Sequence, residues 1–270
     1  MNKTHYILAN GLHFEYEIQG KVESPNLLCL HSLGTSWAVW DGQVAELSQH
    51  FRIIRLNLRG HGRSEGSPPP YSLKLLVEDV IAILDQLNVR KTHVMGISIG
   101  GMIAMGIAIH HSSRVDRLIV ADARAQMQPE FSAIWDKSIA LLESAGMESV
   151  INLSLERWFS QSFRESCPAV IEKFRDIGIG TSTDGFIGCA RAVQQLDYID
   201  QIELIKAQTL FIVGEEDQAS TPEMMRLMSH RVSGSELTVI PGAAHLTSIE
   251  SPNIFATLAM NFLSSKNPKK

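Results

Sequence analysis

V-M-G-I-S-I-G-G, residues 94–101, is a compact apolar run that ends in Ser98, with Gly96 two places before it and Gly100 two places after. The run reads as a buried strand, and the G-M-I-A-M-G-I-A-I-H that continues from it reads as a helix. A chain turning that sharply from strand to helix strains the intervening residue by about 1–3 kcal/mol, and small flanking residues relieve the crowding. Glycine on both sides of Ser98 meets that need. The serine hydroxyl is then expected above the carboxyl edge of a sheet, with the amino end of the next helix aimed at any negative charge forming beside it. Gly-rich packing at a helix start is the plainer alternative, and the strand before and helix after the serine are what favour the sharp turn.

The same alternation extends outward in both directions. Runs rich in Val, Ile and Leu occupy 26–31, 51–57, 92–97, 117–122, 209–214 and 236–240, and their continuous apolarity suits strands covered on both faces. Between them, 39–49, 73–87, 100–111, 222–232 and 253–263 carry a helical period. At the start, 5–9 and 12–18 flank Asn10-Gly11, a dipeptide suited to a tight hairpin because both central residues need positive φ. The predicted fold is α/β, a doubly wound, mostly parallel sheet of eight strands. One region breaks the alternation: from 126 to 199, helical stretches such as 134–144 and 150–159 follow one another with no strand between. The expectation is a core of residues 1–125 and 200–270 with a helical cap, 126–199, inserted after the sixth strand, all in one structural domain.

Composition narrows the function classes. The chain of 270 residues has a formal net charge of −5 and no Lys/Arg block before the N-P-K-K tail, so nucleic acid is not an expected partner. Recognition of a carboxylate would have to come from locally placed arginines, with Arg124 and Arg191 as candidates. Three scattered cysteines, Cys29, Cys167 and Cys189, form neither a disulfide framework nor a C-x-x-C metal site. No run of 18 apolar residues and no signal-like segment occurs, so a reducing, cytoplasmic protein without membrane attachment is expected. His110 and His111 point about 100° apart on a helix, and no metal-ligand spacing appears, so no metal is expected. His61 reads as a structural hydrogen-bonder and His31 as a brace for the loop it begins.

A serine hydroxyl is barely ionised at neutral pH and needs a base, which in turn needs a group to hold its tautomer. Parallel strands end on one rim, so the partners should follow later strands in the order serine, acid, histidine. E-E-D-Q-A-S-T-P follows the strand at 209–214, and P-G-A-A-H-L-T follows the one at 236–240. His245 is the expected base and Asp217 its orienter, with Glu215, Glu216 and Asp122 as competing acids. The expected oxyanion hole pairs the N–H of Ile99, directly after the nucleophile, with that of Leu33 in H-S-L-G-T.

With these residues in place, the chain resembles the α/β-hydrolase superfamily, to which R-G-H-G-R-S at 59–64 is also familiar, and within it most resembles 3-oxoadipate enol-lactonases. The likeness runs through L-H-S-L-G-T-S-W-A-V-W-D, the turn at Ser98, I-W-D-K-S-I, E-R-W-F-S, G-F-I-G-C-A-R-A-V and G-E-E-D-Q-A-S-T-P. It implies a catalytic triad of Ser98, Asp217 and His245, with Trp135 lining the substrate pocket from the cap. Two positions depart from the pattern. Asn57 stands where such enzymes usually carry aspartate, and Asp122 replaces a residue more often asparagine. The second is expected to add negative charge near the pocket, against a carboxylate-bearing lactone.

The expected function is hydrolysis of a small lactone or ester through an acyl-enzyme, with no cofactor. A C–C bond hydrolase, a peracid-forming esterase and a non-catalytic ligand receptor on the same scaffold are the rivals. Oligomeric state is not legible in the sequence.

Overall fold

The computed structural model describes residues 4–265; the basic tail at 267–270 lies outside them. Its centre is one eight-stranded sheet, formed by β1 (His5–Ala9), β2 (Leu12–Gln19), β3 (Asn26–Leu30), β4 (Arg52–Leu56), β5 (Thr92–Ile97), β6 (Val115–Ala121), β7 (Gln208–Gly214) and β8 (Glu236–Ile240). Their order across the sheet is β1-β2-β4-β3-β5-β6-β7-β8. The first two joins, β1 with β2 and β2 with β4, are antiparallel and all the others parallel, as expected from the hairpin and the alternation after it. Asn10 and Gly11 both take positive φ, 47° and 80°, which is what the two-residue turn requires.

Ten α-helices occur among the described residues. They are α1 (Asp41–Leu47), α2 (Leu73–Gln86), α3 (Ile99–His110), α4 (Pro129–Trp158), α5 (Gln161–Ser166), α6 (Pro168–Ile179), α7 (Thr183–Gln194), α8 (Pro222–Arg231), the single turn α9 (Thr247–Glu250) and α10 (Pro252–Ser264). Period-two geometry sorts the central strands into two cores. Leu28, Leu30, Val94, Val120 and Val213 join α2, α3 and α8 on one face, while Leu27, Cys29, Met95, Ile119 and Ile212 join α1 and α10 on the other. Every residue of β5 is buried, which is why that strand reads as a continuous apolar run.

Helices α4 to α7 lie between β6 and β7. The two stretches expected at 134–144 and 150–159 form one long helix broken at Gly146, where φ is 80°. Helices α5, α6 and α7 are additional to those two. The base of the insertion is closed by an antiparallel bridge between Gln126 and Asp197, flanked by bonds from Met127 N–H to Leu196 O (2.9 Å) and from Tyr198 N–H to Ala125 O (2.7 Å). Residues of these helices contribute to both cores, Val150 and Phe186 to one, Leu155 and Trp158 to the other. Among the described residues, no helix is long and apolar enough to cross a membrane.

Candidate active site

Ser98 ends β5 and caps α3 with φ 56° and ψ −122°, a region that side chains rarely occupy. Its N–H donates to Ala121 O (2.9 Å) and its C=O accepts from Met102 N–H (3.0 Å), so bonds on both sides hold the strained residue. The flanking glycines are sterically required. A Cβ on Gly96 would lie 2.2 Å from Gly100 O, and one on Gly100 would lie 2.3 Å from Leu30 O.

The strand ends converge as their order predicts. Ser98 Oγ lies 2.9 Å from His245 Nε2, and His245 Nδ1 lies 2.8 Å from Asp217 Oδ2. The other carboxylate oxygen of Asp217 accepts from Ala219 N–H (2.7 Å) and Ser220 N–H (2.9 Å), which fixes the carboxylate plane. Glu215 instead accepts from Gly242 N–H (3.0 Å) and contributes, like Glu216, to the wall of the cavity. Neither competes for the imidazole.

Asp122 departs from its expected place. It is fully buried and absent from the cavity wall, so it does not present charge to a ligand. Its Oδ1 accepts from Gly214 N–H (3.1 Å), and Oδ2 accepts from Thr247 N–H (3.1 Å) and Thr247 Oγ–H (2.6 Å). It thereby joins the end of β7 to the start of α9. Burial, then the nearby Asp217 carboxylate, pushes its pKa well up. Asn57 is likewise accounted for locally: its Nδ2 donates to Glu15 Oε2 (2.6 Å) and its Oδ1 accepts from Trp37 N–H (2.9 Å). An aspartate there would set two buried carboxylates face to face.

Beside Ser98 lies the loop after β3. Gly34 N–H donates to His61 Nε2 (3.0 Å) and Thr35 N–H to Ser32 O (3.1 Å), while the N–H groups of Leu33 and Ile99 take no acceptor among the described residues. Those two are left available for an oxyanion. His31 and His61 brace the loop as neutral rings. Each donates through Nδ1, to Ser32 O (2.8 Å) and Arg59 O (3.0 Å), and each accepts a backbone N–H at Nε2, from Leu58 (2.9 Å) and Gly34 (3.0 Å). Burial first of all pulls their pKa values down, to about 3 for His31 and about 4 for His61.

Above the serine, a cavity of about 960 Å³ is walled by the strand-end loops below and by α4 and the α4–α5 junction above. Trp135 is on that wall, its ring 6.4 Å from Phe186. Arg124 is also there, 5% exposed, its guanidinium 4.0 Å from the Phe131 ring centroid and its hydrogen bonding confined to a 3.9 Å contact with Met127 Sδ. Burial brings its pKa down to about 10. Two other buried arginines are ion-paired, Arg55 with Glu17 and Asp41 and Arg59 with both oxygens of Asp79, and a third, Arg117, donates to Phe262 O, Ser265 O and Ser265 Oγ. Arg191 is not on the cavity wall; it pairs with Asp136 (2.6 Å). Arg157, which the sequence reading did not single out, is on the wall, with Ser154 Oγ (3.3 Å) as its hydrogen-bond partner. Its place at the end of α4, inside E-R-W-F-S, was the available signal.

Residues 25–252 match the model of the α/β-hydrolase fold family, and the chain belongs to that family. It is 30% identical over 250 residues to 3-oxoadipate enol-lactonase 2 of Acinetobacter baylyi, covering 92% of each chain. A solved hydrolase from Pseudomonas aeruginosa PA01 superposes with a TM-score of 0.93 at 33% identity, over 97% of this chain and 99% of that one. The enol-lactonase structure from Burkholderia xenovorans LB400 gives 0.93 at 30% identity, over 97% and 100%.

Proposed function

We propose that this member of the α/β-hydrolase family is a serine hydrolase that opens a small lactone or cleaves a small carboxylic ester, in the manner of 3-oxoadipate enol-lactonase. The observation that carries the reading is the continuous chain Ser98 Oγ, His245, Asp217, with links of 2.9 and 2.8 Å on the wall of the cavity. Ser98 Oγ attacks the carbonyl while His245 Nε2 takes its proton, and Asp217 steadies the imidazolium. The Leu33 and Ile99 N–H groups receive the oxyanion, each donor of this kind being worth about 2.7–4 kcal/mol at the transition state. His245 then protonates the leaving oxygen, and water repeats the cycle on the acyl-enzyme. With a lactone the leaving oxygen remains tethered to the acyl group until deacylation.

Residues 126–199 act in this reading as a cap over the serine, and Trp135 gives the substrate an apolar face. An unpaired, buried guanidinium in the same cavity favours a carboxylate-bearing lactone over a neutral ester. The three free cysteines fit a reducing, cytoplasmic setting. The test is hydrolysis of 3-oxoadipate enol-lactone beside p-nitrophenyl esters, with Ser98→Ala as control. Turnover that Ser98→Ala abolishes supports the reading, and turnover equal in both proteins overturns it.

A further inference from the structure

The E-R-W-F-S stretch at 156–160 contributes more than cavity wall. Its end is bonded to both neighbours of His245. Leu246 N–H donates directly to Trp158 O (3.1 Å). On the other side the link runs through Glu250, at the end of α9. Its Oε1 accepts from Ala244 N–H (2.8 Å) and Ser160 N–H (3.3 Å), and its Oε2 accepts from Ser160 N–H (3.2 Å) and Ser160 Oγ–H (2.5 Å). The carboxylate of Glu250 is therefore the acceptor for three donors on two separate parts of the chain. The same turn reaches the loop after β3, where a Cβ on Gly34 would sit 3.3 Å from the Trp158 ring.

We infer that Glu250 is a positioning residue for His245, clasping the histidine loop to the junction of α4 and α5 so that the imidazole is in register with Ser98 only while the inserted helices are seated. Glu250 is absent from the cavity wall, so it acts through Ala244 and Ser160 and not by touching substrate. A carboxylate suits the place because all three of its partners are donors; a carboxamide would turn an N–H₂ towards one of them. The inference rests on the hydrolase reading, because it assigns a role in bringing that base to that nucleophile. Its consequence is that loss of the clasp lowers turnover more than binding, since displacements near 1 Å at a reacting group cost up to about a hundredfold.

The test compares Glu250→Gln with the wild type on p-nitrophenyl acetate, alongside thermal unfolding and the ¹H NMR resonance of the His245 Nδ1 proton, assigned by its loss in His245→Ala. Expected for Glu250→Gln is a fall in kcat of about tenfold or more with KM held within about twofold, together with a shifted or broadened Nδ1 resonance in a protein that still unfolds cooperatively. An unchanged kcat, a change confined to KM, or an unmoved resonance overturns the inference. Should Glu250→Gln not fold, Ser160→Ala, which removes the hydroxyl donor and keeps the backbone one, must shift the same resonance; no shift overturns the inference as well. A wild type that hydrolyses no ester or lactone while its Nδ1 resonance responds to Glu250→Gln leaves the clasp standing and removes the hydrolase reading.

Discussion

Arg124 is the side chain whose surroundings say most about the ligand. A buried guanidinium ordinarily has a carboxylate or several carbonyls against it, because desolvating the charge costs several kcal/mol otherwise. Arg55 and Arg59 satisfy that rule; Arg124 has no carboxylate within ion-pair distance and feels Asp217 and Glu130 only at longer range. Its expected partner is an anionic group of the substrate. Arg124→Ala should raise KM for a carboxylate-bearing lactone about tenfold or more, in line with a charge-assisted bond of about 1.5–3 kcal/mol, and leave KM for p-nitrophenyl acetate nearly unchanged. Equal effects on both substrates would refute that partner. From sequence alone Arg124 and Arg191 were both candidates, with Arg124 favoured for following a strand that ends on the rim. What separates them is tertiary: Arg191 has Asp136 beside it, and Arg124 has an aromatic face and open cavity.

The turn from β5 into α3 was the most legible element, because its requirements are local. Strand, strained serine and helix occupy consecutive residues, and each glycine is demanded by backbone within a few ångströms. Gly100 makes the sharper test, since an added methyl would meet Leu30 O at 2.3 Å and His31 O at 2.7 Å, at the root of the loop that carries Leu33. Gly100→Ala should destabilise the fold by about 3 kcal/mol or more and lower kcat on p-nitrophenyl acetate. Urea unfolding with an unaltered midpoint would contradict the steric argument. Of the inserted helices, the longest was less legible. Helix α4 carries no sustained helical period and is broken at Gly146, so its 30 residues do not read as one element, whereas α6 and α7 do carry a helical period of their own.

Across the whole molecule, two loops distant in sequence are locked together by His31 and His61, and the lock depends on both rings being neutral. His61 has its pKa lowered from 6.5 to about 4 by burial, so its contribution to stability is complete above pH 6.5 and is lost as the pH falls towards 4. In His61→Gln, which keeps an acceptor for Gly34 N–H, that acid penalty is absent. The stability advantage of the wild type over His61→Gln should therefore shrink by about 2 kcal/mol between about pH 7 and about pH 5, measured by urea unfolding at each pH. A constant advantage would mean that the ring takes up its proton without leaving the lock. Asp122, whose raised pKa acts in the opposite direction as the pH falls, is common to both proteins and cancels.

The sequence by itself determined the doubly wound sheet, the turn at Ser98 and the chain order of serine, acid and histidine, because hydrophobic period, glycine placement and strand polarity are written in contiguous residues. Only the tertiary structure decided which acid meets His245, that Asp122 is a buried tie instead of a charge at the cavity, that Arg124 faces the cavity while Arg191 pairs with Asp136, and that Glu250 joins the histidine loop to α4. Each of these depends on distances between residues far apart in the chain, where a few ångströms and the loss of water determine whether a charged group is a partner, a brace or a ligand contact.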